Sequence, residues 1–80
     1  MEHTTKPRPK HIGRNVRHMR ELLKLTQDDV AKKMGVSQQT ISYIESSEEV
    51  EEEQLDKVAK ALSVTAEAIK NLDDNATFII

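Results

Sequence analysis

Apolar residues recur three and four positions apart along most of this chain, a spacing typical of helices that bury one face. The pattern predicts short helices over about residues 11–23, 27–34, 38–46, 51–62 and 66–72. The segments between them are short, so most contacts are expected to be local. The sequence therefore predicts an all-α domain.

The first predicted helix has one apolar stripe along its length. Five residues make up this stripe: Ile12, Val16, Met19, Leu22 and Leu23. Basic residues fall mostly on its other faces. We expect the stripe to face the core and the basic residues to face solvent.

A short local pattern marks the start of three later helices. An apolar residue is followed at once by Ser or Thr, and a second apolar residue stands five positions after the first, as in a hydrophobic staple. The pattern occurs at 25–30, 36–41 and 64–69, where the hydroxyl can accept from free amides of the first turn. The fourth helix has the same apolar spacing, but Glu51 is a poor cap. Gly35 can take the left-handed conformation that ends the second helix.

Composition divides the 80 residues into an arm, a domain and an extension. Residues 1–10 contain two prolines and no apolar period, which predicts a flexible basic arm. Residues 11–73 are expected to form the domain, and residues 74–80 a short extension. Three large apolar residues close the extension: Phe78, Ile79 and Ile80. They are costly to leave in water, which makes them candidates for dimerisation. Three alternatives for these residues stay open: they could pack against the first helix, continue into a longer chain or form a disordered tail.

The net charge of −2 hides an uneven distribution along the chain. Residues 1–24 carry seven basic and two acidic side chains, whereas residues 48–80 carry three basic and nine acidic ones. A basic N-terminal third favours contact with phosphate, and an acidic C-terminal third disfavours it.

Several function classes are not expected from this composition. There is no cysteine and no constellation of catalytic residues, so we predict no enzyme activity, no cofactor and no metal site. The three histidines, His3, His11 and His18, are expected on the surface. No apolar run is long enough to span a membrane, and no secretory signal is recognisable, which favours a cytoplasmic protein.

The region from about Arg14 to Leu72 resembles the Cro/C1-type helix-turn-helix family, the phage-repressor-like or XRE class. Arg17 and Arg20 in the first helix are followed, in the family's order, by L-x-Q-x-x-V-A-x-x-x-G, V-S-Q-Q-T-I-S-Y-I-E and L-x-x-V-A-x-A-L-x-V. The resemblance implies a compact five-helix, lambda-repressor-like domain with its helix-turn-helix at about 27–46. It also implies a bacterial or phage-like setting.

The implied function is a sequence-specific regulator of transcription that binds double-stranded DNA. Because members of the family are often repressors, the resemblance implies a repressor that binds a two-fold operator as a homodimer. The third helix would lie in the major groove, where Gln38 and Gln39 are the best candidates for reading bases. Thr40 and Tyr43 are further candidates for base contacts.

The resemblance also assigns residues to phosphate contacts and to structure. The implied phosphate contacts are Gln27, Ser37, Arg14 and Arg17. Gln27 would in addition brace the first glutamine of the third helix, and Ser37 is a helix cap first. Arg20 and Glu45 match the family's structural ion pair, which joins the first helix to the end of the third.

The loop after Glu45 departs from the family pattern. It reads S-S-E-E-V-E-E-E-Q, with five glutamates around Val50 and neither Gly nor Pro. Glutamates near a phosphate backbone repel it, so DNA affinity is expected to depend on dimerisation and on the basic arm. The alternative function is a protein-interaction module, such as an antitoxin or adaptor, that uses the acidic face around 48–53.

Overall fold

The computed structural model describes residues 11–72, which form five helices and contain no strand. They are α1 (Ile12–Leu22), α2 (Gln27–Met34), α3 (Gln38–Glu45), α4 (Glu52–Leu62) and α5 (Ala66–Lys70). The predicted all-α fold is confirmed, and each helix lies within two residues of its expected bounds. The predicted arm and extension, with Phe78, Ile79 and Ile80, lie outside the described residues.

All five helices contribute to one aliphatic core. Its buried members are Val16, Val30, Ala31, Ile41, Ile44, Leu55, Val58, Ala59, Leu62 and Ile69. Each is at most 3 % exposed, so the five helices shield this core from solvent. Within residues 11–72, no helix has the length and apolar character needed to cross a lipid bilayer.

The predicted apolar stripe of α1 is wrong at its C-terminal end. Leu22 and Leu23 are 56 % and 42 % exposed. The helix ends at Leu22, and Lys24 turns the chain with a φ of 62°. Arg20 takes the buried position one turn after Val16, where its charge is paired, so the two leucines are left at the surface.

The predicted caps are present at three helix starts. Thr26, Ser37 and Thr65 each accept a hydrogen bond from the amide three residues on. Gly35 adopts the left-handed conformation, with a φ of 71°, and so ends α2. Glu51 makes no side-chain cap at the start of α4, as its residue type suggests.

Gly13 fixes the distance between α1 and the end of α3. The amides of Ile12 and Gly13 donate to the carbonyls of Glu48 and Ser47, both at 2.9 Å. A β-carbon on Gly13 would overlap carbonyl oxygens at the end of α3 and in the following loop. Only glycine fits this crossing, which therefore holds the C-terminal end of α3 against the start of α1.

Candidate nucleic-acid interface

Helix α3 has one buried and one exposed side. Ile41 and Ile44 are each 1 % exposed and lock the helix onto the core. The opposite side is formed by exposed polar residues, namely Gln38, Gln39, Ser42 and Tyr43. Tyr43 is 72 % exposed, so its ring projects from the domain. A polar surface on a rigid helix is the arrangement that reading of a DNA groove requires.

Thr40 and Ser37 are engaged with each other at the start of α3. The Thr40 amide donates to Ser37 Oγ at 3.2 Å, and the two hydroxyl oxygens lie 3.1 Å apart. Thr40 is only half-buried, so part of the residue remains accessible to solvent. The pair shapes the first turn of α3, while Gln38 and Gln39 stay free of this cap.

Arg20 and Glu45 form an ion pair between α1 and the end of α3. Arg20 Nε donates to Glu45 Oε2 at 2.6 Å and Nη2 donates to Oε1 at 3.2 Å. The third guanidinium nitrogen, Nη1, donates to the Leu25 carbonyl at 2.8 Å. The two side chains are only 10 % and 4 % exposed. The hydrogen bond to Glu45 raises the pKa of Arg20, although burial acts in the opposite direction.

A chain of hydrogen bonds continues from this ion pair to the surface. Gln27 Nε2 donates to Glu45 Oε1 at 3.0 Å. Gln38 Nε2 in turn donates to Gln27 Oε1 at 3.3 Å. Gln27 is the first residue of α2 and Gln38 the first of α3. The two helix starts, where free amides and positive dipole ends favour anions, are thus coupled through side-chain amides.

The two candidate arginines of α1 lie on its exposed side. Arg17 Nε donates to Glu21 Oε2 at 3.1 Å, and both side chains are more than half exposed. Such a surface pair contributes little free energy, so a phosphate can replace the carboxylate. Arg14 lies in the first turn of α1, where its backbone amide donates to His11 Nδ1 at 3.0 Å and so completes the helix cap.

The histidines of the described region differ from the prediction. His11 and His18 are half-buried rather than on the surface. His11 caps α1, while His18 Nε2 is shielded from solvent and lacks a hydrogen-bond partner among residues 11–72. In that same part of the chain, no three His, Asp or Glu side chains come together as a metal site would need.

A family model described as helix-turn-helix matches residues 16–69, more than half of the chain. The chain belongs to the Cro/C1-type helix-turn-helix family. It is therefore a DNA-binding regulator of transcription, and membership points away from enzyme activity. Among curated proteins, no sequence matches the chain.

Solved structures of this helix-turn-helix fold are similar to the chain. The restriction-modification controller protein C.AhdI from Aeromonas hydrophila has a TM-score of 0.66 and 22 % identity over 74 % of this chain and 91 % of its own. A hypothetical transcription factor, NHTF from Neisseria, has a TM-score of 0.71 and 18 % identity over 100 % of this chain and 98 % of its own. A substrate complex of FeII HppE has a TM-score of 0.66 and 23 % identity, but this chain covers only 42 % of it. At such identities the likeness shows the fold alone.

An acidic segment, residues 46–53, runs from the end of α3 into the first turn of α4. Its five glutamates are exposed, and Glu52 Oε2 accepts from Lys70 Nζ at 2.7 Å. This hydrogen bond raises the pKa of Lys70. The loop follows the C-terminal end of α3, roughly 12 Å along the axis from Gln38.

Sequence reasoning missed two residues that position α3 and α5. Gly13 permits the close crossing of α1 and α3, and Asn15 Nδ2 donates to the Ile69 carbonyl at 2.9 Å. Asn15 is 7 % exposed. It stands directly before the apolar Val16, and a single polar residue is not recognised by a search for apolar periodicity. Its spacing, three positions after Ile12 and four before Met19, is the signal that could have placed it on the apolar face.

Proposed function

We propose that this chain is a transcriptional repressor that reads double-stranded DNA with α3 and acts as a homodimer in the cytoplasm of a bacterial or phage-like system. The observation that carries the proposal is the hydrogen-bonded placement of Gln38. Its amide is exposed at the first position of α3 and is held by Gln27, which is itself held by Glu45. A preorganised amide in this place suits reading of a base edge in the major groove.

Gln38 retains the atoms that an adenine requires. One N–H of its amide is donated to Gln27, which leaves a second N–H and the oxygen Oε1. Adenine offers the acceptor N7 and an amino donor on N6, so the remaining pair of atoms matches it. Gln39 has the same chemistry beside it. Tyr43 lies about one turn along, and the Thr40 methyl suits contact with a thymine methyl.

Phosphate contacts would fix the position of the domain on the duplex. Gln27 has a second N–H that neither Glu45 nor Gln38 uses, at a helix start that favours anions. Arg14 and Arg17 on α1 would add affinity without sequence preference, and the Ser37 hydroxyl a further contact. The arm, with three basic residues after Met1, would act in the same way.

The dimer is supported by the apolar surface at the end of α1. Leu22 and Leu23 are large exposed residues next to each other, and burial in a second copy would remove them from water. The candidates Phe78, Ile79 and Ile80 would add to such an interface. Sedimentation velocity of the chain with and without residues 74–80 tests their role. A dimer that dissociates on truncation is expected, and identical sedimentation of both forms would count against it.

A protein-interaction module is the second candidate function, supported by the exposed glutamates of the loop. In that case the acidic face would bind a basic partner protein, and α3 would have no selective role. The two candidates differ in which variants matter. A repressor depends on Gln38 and Gln39, whereas an interaction module depends on Glu48 and Glu49.

Selection of bound duplexes from a random pool, at stated salt, tests the proposal directly. We expect an enriched sequence, and we expect Gln38→Ala or Gln39→Ala to lose roughly five- to 150-fold discrimination at one base pair. Gln54→Ala on α4 is the matched control and should keep the full preference. Arg17→Ala should weaken binding to all sequences and reduce the slope of log affinity against log salt by about one.

The outcome separates the candidates. If the unmodified chain enriches no sequence, specific reading of DNA by α3 is excluded. If a sequence is enriched but Gln38→Ala and Gln39→Ala retain it, α3 is not the reader. Glu48→Gln with Glu49→Gln should increase DNA affinity, and unchanged or weaker binding would show that these glutamates do not repel DNA.

A further inference from the structure

We propose that Glu45, a buried residue that does not touch DNA, determines which base Gln38 prefers, because its carboxylate sets the direction of the hydrogen bonds that pass through Gln27. The inference rests on the proposed function and adds a specificity-determining residue to it. Three observations carry the inference: the chemistry of the Glu45 carboxylate, the orientation of Gln27 and the atoms that Gln38 has left.

The Glu45 carboxylate can only accept hydrogen bonds. It receives two from Arg20 and one from Gln27, and its side chain is 4 % exposed. An ionised carboxylate has no proton to donate, and this one lies against the Arg20 guanidinium at 2.6 Å. The group facing Oε1 must therefore be a donor. For Gln27, this means that the NH₂ side of its amide faces the core.

The orientation of Gln27 fixes that of Gln38. An amide has one oxygen and one NH₂ group on opposite sides, so Gln27 Oε1 faces away from Glu45. That oxygen is the acceptor for Gln38 Nε2 at 3.3 Å. Gln38 is consequently a donor towards Gln27, and its own oxygen stays free. The direction set by the buried carboxylate is passed outward through two amides.

Reversal of this direction would change the base that Gln38 can bind. If Gln27 turned its NH₂ towards Gln38, the Gln38 oxygen would be used and two N–H donors would remain. Two donors match the acceptors N7 and O6 of guanine rather than the acceptor and donor of adenine. The variant Glu45→Gln permits this reversal, because an NH₂ in the place of Oε1 can donate to Gln27 Oε1. The remaining oxygen still accepts from Arg20 Nε, whereas Arg20 Nη2 loses its acceptor.

The experiment measures the preference for adenine over guanine at the base pair that Gln38→Ala identifies. Competition binding with matched duplexes is done for the unmodified chain, Glu45→Gln, Gln27→Met and the double variant. We expect Glu45→Gln to lower the adenine preference by roughly tenfold or more. We expect no further change when Glu45→Gln is added to Gln27→Met, because methionine cannot pass on hydrogen-bond direction.

Two results would overturn the inference. One is an unchanged preference in Glu45→Gln, and the other is an equal change from Glu45→Gln whether or not Gln27 is present. A purely structural role of Glu45 would weaken binding to both duplexes alike and leave their ratio constant. This ratio therefore separates hydrogen-bond direction from stability.

Circular dichroism confirms that each variant is folded before binding is measured. If Glu45→Gln does not fold, Gln27→Met tests the same inference, since it leaves the buried ion pair in place. Its adenine preference should fall by a similar factor, and an unchanged preference would overturn the inference. If the unmodified chain selects no DNA sequence, both the proposed function and this inference are refuted. If selection depends on Gln38 but does not change in the variants of Gln27 and Glu45, this inference alone is refuted.

Discussion

The chain contains two helix–turn–helix corners of similar sequence, of which one carries the candidate DNA interface. Residues 30–41 read V-A-K-K-M-G-V-S-Q-Q-T-I and form the first corner, between α2 and α3. Residues 58–69 read V-A-K-A-L-S-V-T-A-E-A-I and form the second, between α4 and α5. The comparison separates what builds such a corner from what lets it read DNA.

The two corners are built by the same local interactions. Each first helix ends at a left-handed residue, Gly35 with a φ of 71° and Ser63 with a φ of 61°. The next amide returns to a carbonyl of the helix, from Val36 to Ala31 at 3.0 Å and from Val64 to Ala59 at 2.9 Å. A hydroxyl then caps the second helix in both cases. The corner therefore follows from short-range sequence.

The difference lies in the two residues that follow the cap. The first corner has Gln38 and Gln39 there, on a helix of eight residues. The second has Ala66 and Glu67 there, on a helix of five residues. These two residues provide no side-chain amide, and the Glu67 carboxylate would be repelled by phosphate. The same backbone geometry thus presents an exposed pair of side-chain amides in one place and none in the other.

Helix α1 holds the second helix of each corner through one polar side chain. Arg20 pairs with Glu45 at the end of α3, and Asn15 donates to the Ile69 carbonyl in α5. One attachment is a buried charge pair and the other a neutral hydrogen bond. We expect the two corners to differ in how much free energy their attachment contributes.

The largest expected effect comes from Glu45→Ala, which leaves the Arg20 charge buried without its partner. The free energy of unfolding should fall by about 3–5 kcal/mol, measured by urea denaturation. Glu49→Ala removes the same charge from an exposed position and should change it by less than about 0.5 kcal/mol. Equal losses from both variants would show that the ion pair does not hold the first corner.

Asn15→Ala tests the attachment of the second corner. The Ile69 carbonyl loses its side-chain donor, which should cost about 1–3 kcal/mol of unfolding free energy. Hydrogen exchange should accelerate in α5 more than in α3, because only α5 loses its attachment. Arg14→Ala, at an exposed neighbouring position, is the control. Equal acceleration in α3 and α5 would show that the corners are not held separately.

An exchange of the two left-handed residues tests whether the corners are equivalent. Gly35→Ser should lower the free energy of unfolding by about 1 kcal/mol, and Ser63→Gly should raise it by about 0.5 kcal/mol, since only glycine is free of strain at positive φ. The open space around Gly35 means that no clash adds to this cost. Thermal unfolding of both variants provides the measurement. Shifts of the same sign would contradict a shared turn geometry.

Most of the fold follows from the sequence because local signals agree with one another. Caps at Thr26, Ser37 and Thr65 coincide with apolar spacing, so the helices are found within two residues. Contacts between distant segments are harder to predict. The hydrogen bond from Asn15 to Ile69 and the crossing at Gly13 depend on which helices meet, and no local pattern records that.

Within the candidate site, the sequence predicts residue types better than hydrogen-bond geometry. The resemblance indicates an Arg20–Glu45 pair and a brace from Gln27 to Gln38. The bond from Gln27 to Glu45, which joins these two features, is visible only in the folded arrangement. The exposure of Leu22 and Leu23 was also missed, because the apolar pattern runs through the last residue of α1, Leu22, and on to Leu23 after it.

The smallest expected effect concerns the starts of the two corners, which differ in their caps. At the start of α2, Asp29 Oδ2 accepts from the Thr26 amide at 2.8 Å, while Glu51 at the start of α4 caps nothing. The bond to the Thr26 backbone lowers the pKa of Asp29. A lowered pKa in the folded state stabilises the fold above about pH 4, and this contribution is lost as the pH falls through the folded-state value.

The advantage of the unmodified chain over Asp29→Asn should therefore shrink when urea denaturation is repeated from pH 6 down to about pH 2.5. Asp28→Asn removes the same charge from the first turn of α2 without touching the Thr26 cap, and it controls for net charge. Asp28→Asn also removes an exposed pair with Lys32 at 3.4 Å, which contributes little free energy. The excess of the Asp29 effect over the Asp28 effect therefore reports mainly the capping interaction. An excess that stays constant over this range, or grows towards acid, would show that the carboxylate does not cap α2, and the two corners would then begin alike.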